Sequence, residues 1–273
     1  DDLGVLVHPA TSNEEGALIA RLAEALGTGN LDHRIAQHDL SDGATATSFD
    51  MSVAEIEKAG TIVIVGSNLR HEVPLLHQRV HQAAKRGAAV HVVNPVDFDV
   101  TFDTASKAIV PPSQMASTLA ALTVNENAKQ PGVVVIVGAV AENSIHASAI
   151  RKAASAFASA NGAALCRIPQ GANALGLARM GVLPSARDVQ MMLADPRKAY
   201  VVYGLEPGLD FADQARALKA LGAAKVVAFS QFACRSTRAV ADVILPIAAL
   251  PEIDATLTNL DGFDQHTSAG GKS

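Results

Sequence analysis

Two histidines four residues apart, His77 and His81, have the spacing at which one helix can offer two imidazoles to a metal ion. Gln78 stands where a metalloprotease would carry its acidic partner, so the pair reads as a solvated helix face beside Arg79 and Lys85. Ser67 follows Gly66 at the end of an apolar run, but Asn68 and Leu69 deny it the second glycine of a nucleophile elbow, and no histidine is placed as its base. The nicotinamide fingerprint G-x-G-x-x-G is absent, as is the phosphate loop G-x-x-x-x-G-K-S/T; Gly171–Gly176 (GANALG) has two glycines in the wrong frame. Cys166 and Cys234 lie far apart, whereas an iron–sulfur cluster takes four closely spaced ligands. No catalytic residue and no metal ligand is therefore assigned. Arg70-His71-Glu72 is more informative, because it opens a helix just beyond a strand end, where a glutamate is favoured by the helix dipole and a polar cleft or contact surface can form.

Three stretches that would position these residues share one pattern of β-branched run, glycine, helix, glycine and second run. The first is Thr61–Val65, Gly66, a helix near 72–86, Gly87 and Val90–Val93. The second is Val133–Val137, Gly138, a helix near 144–160, Gly162 and Ala163–Ile168. The third is Ala199–Tyr203, Gly204, a helix near 211–221, Gly222 and Val226–Phe229. Continuous apolar runs mark strands covered on both faces, which parallel sheets need because crossover helices pack on both sides. The fold class is α/β, with two Rossmann-like units of mainly parallel, doubly wound sheet. Ser12/Glu15 and Ser52/Glu55 have the form of capping boxes, and Leu18, Leu22 and Leu26 recur at helical spacing behind the first. The polar stretch Thr123–Pro131 is the expected linker, giving a first unit at 1–125, a second at 126–250 and an extended tail at 251–273. Ligands of such sheets sit beyond the carboxyl ends of the strands. Those ends nominate Gly66, Ser67, Asn68, Arg70, His71, Glu72, Asn94 and Glu206 as lining of a vestigial cleft or interface, and Asn173 and Asn259 are added to them by position in the chain.

Composition excludes other classes. A net charge of −5 without a basic run, and 4% aromatic residues, leave no groove for nucleic acid. The longest apolar run, Gly132–Ala141, is about half of the ~20 residues a membrane helix needs, so no direct membrane insertion is expected. With 273 residues, 49% of them hydrophobic, the chain can build two cores without disulfides, and its two thiols suit a reducing compartment. The opening Asp1-Asp2-Leu3 and the closing Gly-Gly-Lys-Ser suggest a piece of something longer.

Several stretches, in order, resemble the molybdopterin oxidoreductase family. They are Ala23–His33 (AEALGTGNLDH), Val65–Leu76 (VGSNLRHEVPLL) and Asp242–Gln265 (DVILPIAALPEIDATLTNLDGFDQ). Asp32-His33-Arg34 with Gln37, Asp39, Ser41 and Asp42, then Gly66–Glu72 and Gln170–Asn173, are similar to the branch of that family found in bacterial NADH:quinone oxidoreductase, complex I, as its large iron–sulfur component. The resemblance implies a fold of the formate dehydrogenase domain 1–3 type. It further implies a place in a respiratory enzyme that passes electrons from NADH to quinone and translocates protons. The location implied is the cytoplasmic side of the inner membrane, peripheral, against other peripheral-arm subunits. Iron–sulfur clusters are expected in the N-terminal part of such a full-length polypeptide, and no cofactor in this fragment. In catalytic members a cysteine, selenocysteine or serine after the Asp-His pair ligates molybdenum; here residues 34–40 (RIAQHDL) carry no thiol, and neither Ile35 nor Gln37 replaces a thiolate. Leu69 stands where the family often has proline, Ala255 where it has a glycine and Phe263 where it has an arginine. The expectation is a non-catalytic scaffold, inactive alone. Two alternatives are a formate dehydrogenase-like molybdopterin enzyme whose metal ligand lies outside this fragment, and a small-molecule binding module.

Overall fold

The structure, a computed structural model, describes residues 2–124 and 132–271. In chain order the strands are β1 (Leu3–Val7), β2 (Leu31–Asp32), β3 (Thr61–Val65), β4 (Ala89–Asn94), β5 (Ser106–Ile109) and β6 (Val133–Val137). There follow β7 (Ala164–Arg167), β8 (Ala199–Tyr203), β9 (Lys225–Ser230), β10 (Val243–Pro246), β11 (Ala255–Thr258) and β12 (Asp264–Thr267). They form two five-stranded parallel sheets, ordered β10-β9-β8-β1-β2 and β5-β4-β3-β6-β7, and the antiparallel hairpin β11-β12.

The chain divides into two units, but not at the expected place. Unit 1 is Asp1–Leu40, Gln170–Asn259 and Phe263–Ser273; unit 2 is Ser41–Pro169 with Leu260–Gly262. The division into 1–125, 126–250 and a tail 251–273 is thereby corrected. A doubly wound sheet extends from both sides of its first strand, so pairing partners need not follow in sequence. Thr61 of β3 lies beside Val133 of β6, across the expected boundary, and Leu3 of β1 lies beside Ala199 of β8. The expected linker falls mostly on 125–131, outside the described residues. The supposed extended tail contains β11 and β12 in antiparallel register, Ala255 opposite Thr267.

Unit 2 has the strand order of a Rossmann half extended on one side, with winding that reverses between β3 and β6. Both strands are buried along their whole length. Ile62 and Ile64 join one core with Val90, Val92, Val134, Ile136 and Cys166, while Val63 and Val65 join the other with Val133, Val135, Met115 and Leu119. The two-residue period of a strand makes that division unavoidable. The helix Ala147–Asn161 adds Ile150, Ala154, Phe157 and Ala158 to the second core. The helix expected near 72–86 is two pieces, Leu69–Glu72 and Pro74–Lys85. Val73 has φ −142° and ψ 76°, out of the α region, as the proline ring after it requires.

Unit 1 has the flavodoxin-type order, reversing between β1 and β8. The capping box at Ser12 forms, with Glu15 N–H donating to Ser12 Oγ at 3.3 Å and Ser12 N–H to Glu15 Oε2 at 3.0 Å. Ser52, by contrast, precedes only a short 3-10 turn, Glu55–Lys58. The leucines behind the first box do not face the core. Helix Asn13–Ala25 buries Gly16, Ile19 and Ala23, and Leu18, Leu22 and Leu26 are 63%, 41% and 53% exposed.

Candidate functional site

The nominated residues are divided between the two units. Gly66, Ser67, Asn68, Glu72 and Asn94 gather at the reversal point of unit 2, whereas Asn173, Glu206 and Asn259 belong to unit 1. At the unit 2 point, Gly66 takes φ +57°, and a Cβ there would lie 2.5 Å from that of Ala141, so the turn is reserved for glycine. Asn94 holds the turn from the neighbouring strand end: Ser67 N–H donates to its Oδ1 at 2.8 Å, and its Nδ2 donates to Ser67 O at 3.0 Å. The Glu72 carboxylate spans the two central strand ends. Asn68 N–H donates to its Oε1 at 2.8 Å and Ala139 N–H to its Oε2 at 2.9 Å. Arg70 and His71 point away and are exposed, with Arg70 beside Asp99 at 3.2 Å. The protein's own groups fill this point.

In unit 1 a cleft of about 380 Å³ lies beyond β1, β8 and β9, at that sheet's reversal point. Its lining includes His8, Glu15, Tyr203, Glu206, Asp210 and Cys234, and neither lysine nor arginine. Tyr203 donates to Glu15 Oε1 at 2.7 Å; burial first, then that carboxylate, pushes its phenol above the usual range. Burial lowers the His8 imidazole against the opposing charge of Asp210. Glu206 is exposed and its N–H donates to Asp210 Oδ2 at 2.6 Å. Asn173 is fully buried elsewhere in the unit: its Nδ2 donates to Thr11 O and Asn13 Oδ1 at 2.7 and 2.9 Å, and Thr258 N–H donates to its Oδ1 at 2.8 Å. That network fastens β11 to helix Asn13–Ala25. Asn259 shapes the turn between β11 and β12, accepting from Phe263 N–H at 3.0 Å.

The segment in which the family places its metal ligand is built into unit 1. Arg34 donates from Nε and Nη2 to the two oxygens of Asp32 at 2.9 and 3.0 Å, and Val189 N–H donates to Asp32 Oδ2 at 3.1 Å. His33 Nδ1 meets Val182 O at 2.6 Å, and burial holds the ring below its ordinary value despite Asp32. Ile35 and Leu40 pack with Met192, Val202 and Phe211.

Sequence reasoning missed two features. In unit 2, Glu142, 1% exposed, accepts from Arg151 Nη1 at 3.2 Å and from Arg167 Nε and Nη2 at 2.7 and 3.0 Å; Arg151 also grips Asp42 at 2.8 and 2.6 Å. Burial opposes the charge of Asp42, but the Arg151 guanidinium prevails and holds the carboxyl below its usual range. These partners sit up to 109 residues apart, with no shared period to betray them. The unit 1 cleft follows β1, whose run Leu3–Val7 directly before the Ser12 capping box was the signal that could have found it. His77 is likewise not solvated: it is buried against Phe102, ring centroids 5.3 Å apart, because Phe102 closes over that face. Among the described residues no group of three or more His, Cys, Asp or Glu could hold a metal ion.

Two parallel, doubly wound units with strand-end reversal points define a nucleotide-fold α/β protein. More narrowly, the sequence profile of molybdopterin oxidoreductases matches residues 2–272, and the chain belongs to that family. It is 25% identical, over 95% of its length, to the G subunit of NADH-quinone oxidoreductase from Mycobacterium bovis and to that from Mycobacterium tuberculosis. The chain spans 37% of the length of those relatives. Over an alignment of 102 residues, covering 35% of this chain and 15% of the relative, it is 30% identical to the alpha subunit of an F420-dependent formate dehydrogenase from Methanocaldococcus jannaschii. The solved structure of acetylene hydratase from Pelobacter acetylenicus superposes with TM-score 0.67 at 13% identity, over 99% of this chain and 52% of that one. That likeness shows the shared fold. One reversal point is filled by the chain's own Glu72, and the cleft at the other is lined by Glu15, Glu206 and Asp210 with neither lysine nor arginine.

Proposed function

We propose that this chain is a non-catalytic scaffold and interface region of a larger polypeptide of the G-subunit type. It would work within an NADH:quinone oxidoreductase, on the cytoplasmic side of the membrane and against other peripheral-arm subunits. The observation that carries the reading is the fate of residues 34–40. They hold no thiolate, and Arg34, Ile35 and Leu40 are consumed in binding Asp32 and filling the core of unit 1. The electron-carrying clusters would then lie elsewhere in the longer polypeptide. No helix among the described residues is long and apolar enough to cross a membrane, which fits a region that contacts protein.

The ridge Leu18, Leu22 and Leu26 is the contact face the reading favours, since contiguous exposed leucines on one helix mark an interaction surface. In the assembled enzyme, Leu18→Glu with Leu22→Glu should release neighbouring subunits while leaving the melting temperature of this chain unchanged. Full retention of the assembly and of its NADH:quinone turnover would contradict the interface. The chain alone should not oxidise NADH with an artificial acceptor. The small-molecule alternative keeps one supporting observation, the unit 1 cleft, whose volume lies at the lower end of the range of ligand sites.

A further inference from the structure

The strand-end geometry of unit 2 carries an inference independent of the scaffold reading. Two amides from opposite sides of the reversal point, Asn68 N–H after β3 and Ala139 N–H after β6, converge on one carboxylate, each taking one oxygen. A third group points to the same place. Ser67 is 3% exposed, and its Oγ has no hydrogen-bond partner among the described residues. A Cβ built on Gly138 would lie 2.4 Å from Ser67 Oγ and 2.7 Å from Glu72 Oε2, so hydroxyl and carboxylate both pack against this glycine and lie near each other. Two amide donors and one hydroxyl, buried beside a glycine, form a cradle for an oxyanion. The carboxylate that fills it is tethered four residues beyond Asn68, on a residue that is half-buried.

We propose that the reversal point of unit 2 is an oxyanion-binding site which the chain occupies with its own Glu72, and which takes a small free oxyanion once that carboxylate is gone. The bidentate arrangement favours a carboxylate. Phosphate shares the chemistry and forms the second arm of the test. Burying an unpaired polar group is costly, so the vacated amides and Ser67 Oγ supply the driving force for a replacement anion.

The test is chemical rescue. Glu72→Ala should melt below the wild type, and titration with sodium acetate should raise its melting temperature by roughly 3–6 °C at tenfold over the dissociation constant. The wild type and Glu72→Gln, whose side chain still fills the cradle, supply the non-specific salt effect and should not share that rise. Phosphate exceeding acetate would still support the site and would assign it to tetrahedral anions. Equal shifts in all three proteins, or no specific rise of Glu72→Ala with either anion, would overturn the proposal. Should Glu72→Ala emerge unfolded, the same salts are added during refolding. Recovery of native circular dichroism beyond that in sodium chloride then supports the site, and no recovery overturns it.

Discussion

Glu142→Gln should destabilise unit 2 by about 3 kcal/mol, and the figure follows from three bonds. Glu142 is 1% exposed and accepts one hydrogen bond from Arg151 and two from Arg167. Bonds to charged groups contribute roughly 1.5–3 kcal/mol each, and removing one partner of a buried ion pair costs about 3–5 kcal/mol. Glutamine preserves the volume but turns an amide NH2 toward a guanidinium, donor against donor. The low end of the range applies because Arg151 keeps Asp42, and Arg167, 17% exposed, can recruit water. Urea unfolding followed by far-ultraviolet circular dichroism should show the midpoint lowered by about 1.5 M, taking a slope of ~2 kcal/mol/M. Hydrogen exchange should locate the loss of protection in 139–151 and 164–167. Asp42→Asn, at a carboxylate 32% exposed, should cost no more than about 1 kcal/mol. A midpoint shift below about 0.5 M for Glu142→Gln, or one equal to that of Asp42→Asn, would mean that solvent cancels the buried pair and that the pair contributes no such stability.

Three further outcomes follow from the same physics. Gly66→Ala should cost roughly 2–4 kcal/mol, from the left-handed φ and the collision with Ala141, whereas Gly162→Ala, with a left-handed φ and no neighbour within 4 Å, should cost only about 1 kcal/mol; equal urea midpoints would contradict this. Burial pushes the Cys166 thiol up to about 12, with its bond to Met51 O opposing weakly, so a disulfide reagent should label half-exposed Cys234 rapidly and Cys166 only on unfolding. Burial keeps the His33 imidazole below its ordinary 6.5, so the unfolded chain takes up the proton first as pH falls. The stabilisation is complete above about pH 6.5 and declines toward the lowered folded value, by at most ~1.4 kcal/mol per pH unit. His33→Gln should flatten its share of the pH dependence of the urea midpoint, to which His8, His77 and His91 contribute with the same sign; an unchanged slope would count against it.

The parallel sheets were legible because β3, β6 and β8 are runs of β-branched and apolar residues closed by glycine, and that period is local. The division into units was not, because it depends on which strand lies beside which. Thr61 beside Val133 and Leu3 beside Ala199 are choices of topology that no local period encodes. The same limit applies to side chains. The nomination of Ser67, Asn68, Glu72 and Asn94 placed four residues at one strand-end point, since strand ends can be read from the runs before them. That Glu72 turns back to occupy the point needed Ala139, 67 residues away. Leu18, Leu22 and Leu26 show how a helical period can mislead. The stripe is real, but Ile19 and Ala23 are turned to the sheet core and Gly16 to Leu177, where a Cβ would lie 2.6 Å from its Cδ2.

The scaffold proposal requires that this molybdopterin oxidoreductase fold hold no metal–pterin cofactor. The direct measurement is molybdenum by mass spectrometry and pterin by fluorescence, on this polypeptide purified from cells that make the cofactor. Both are expected at background; molybdenum and pterin approaching one per chain would contradict the claim.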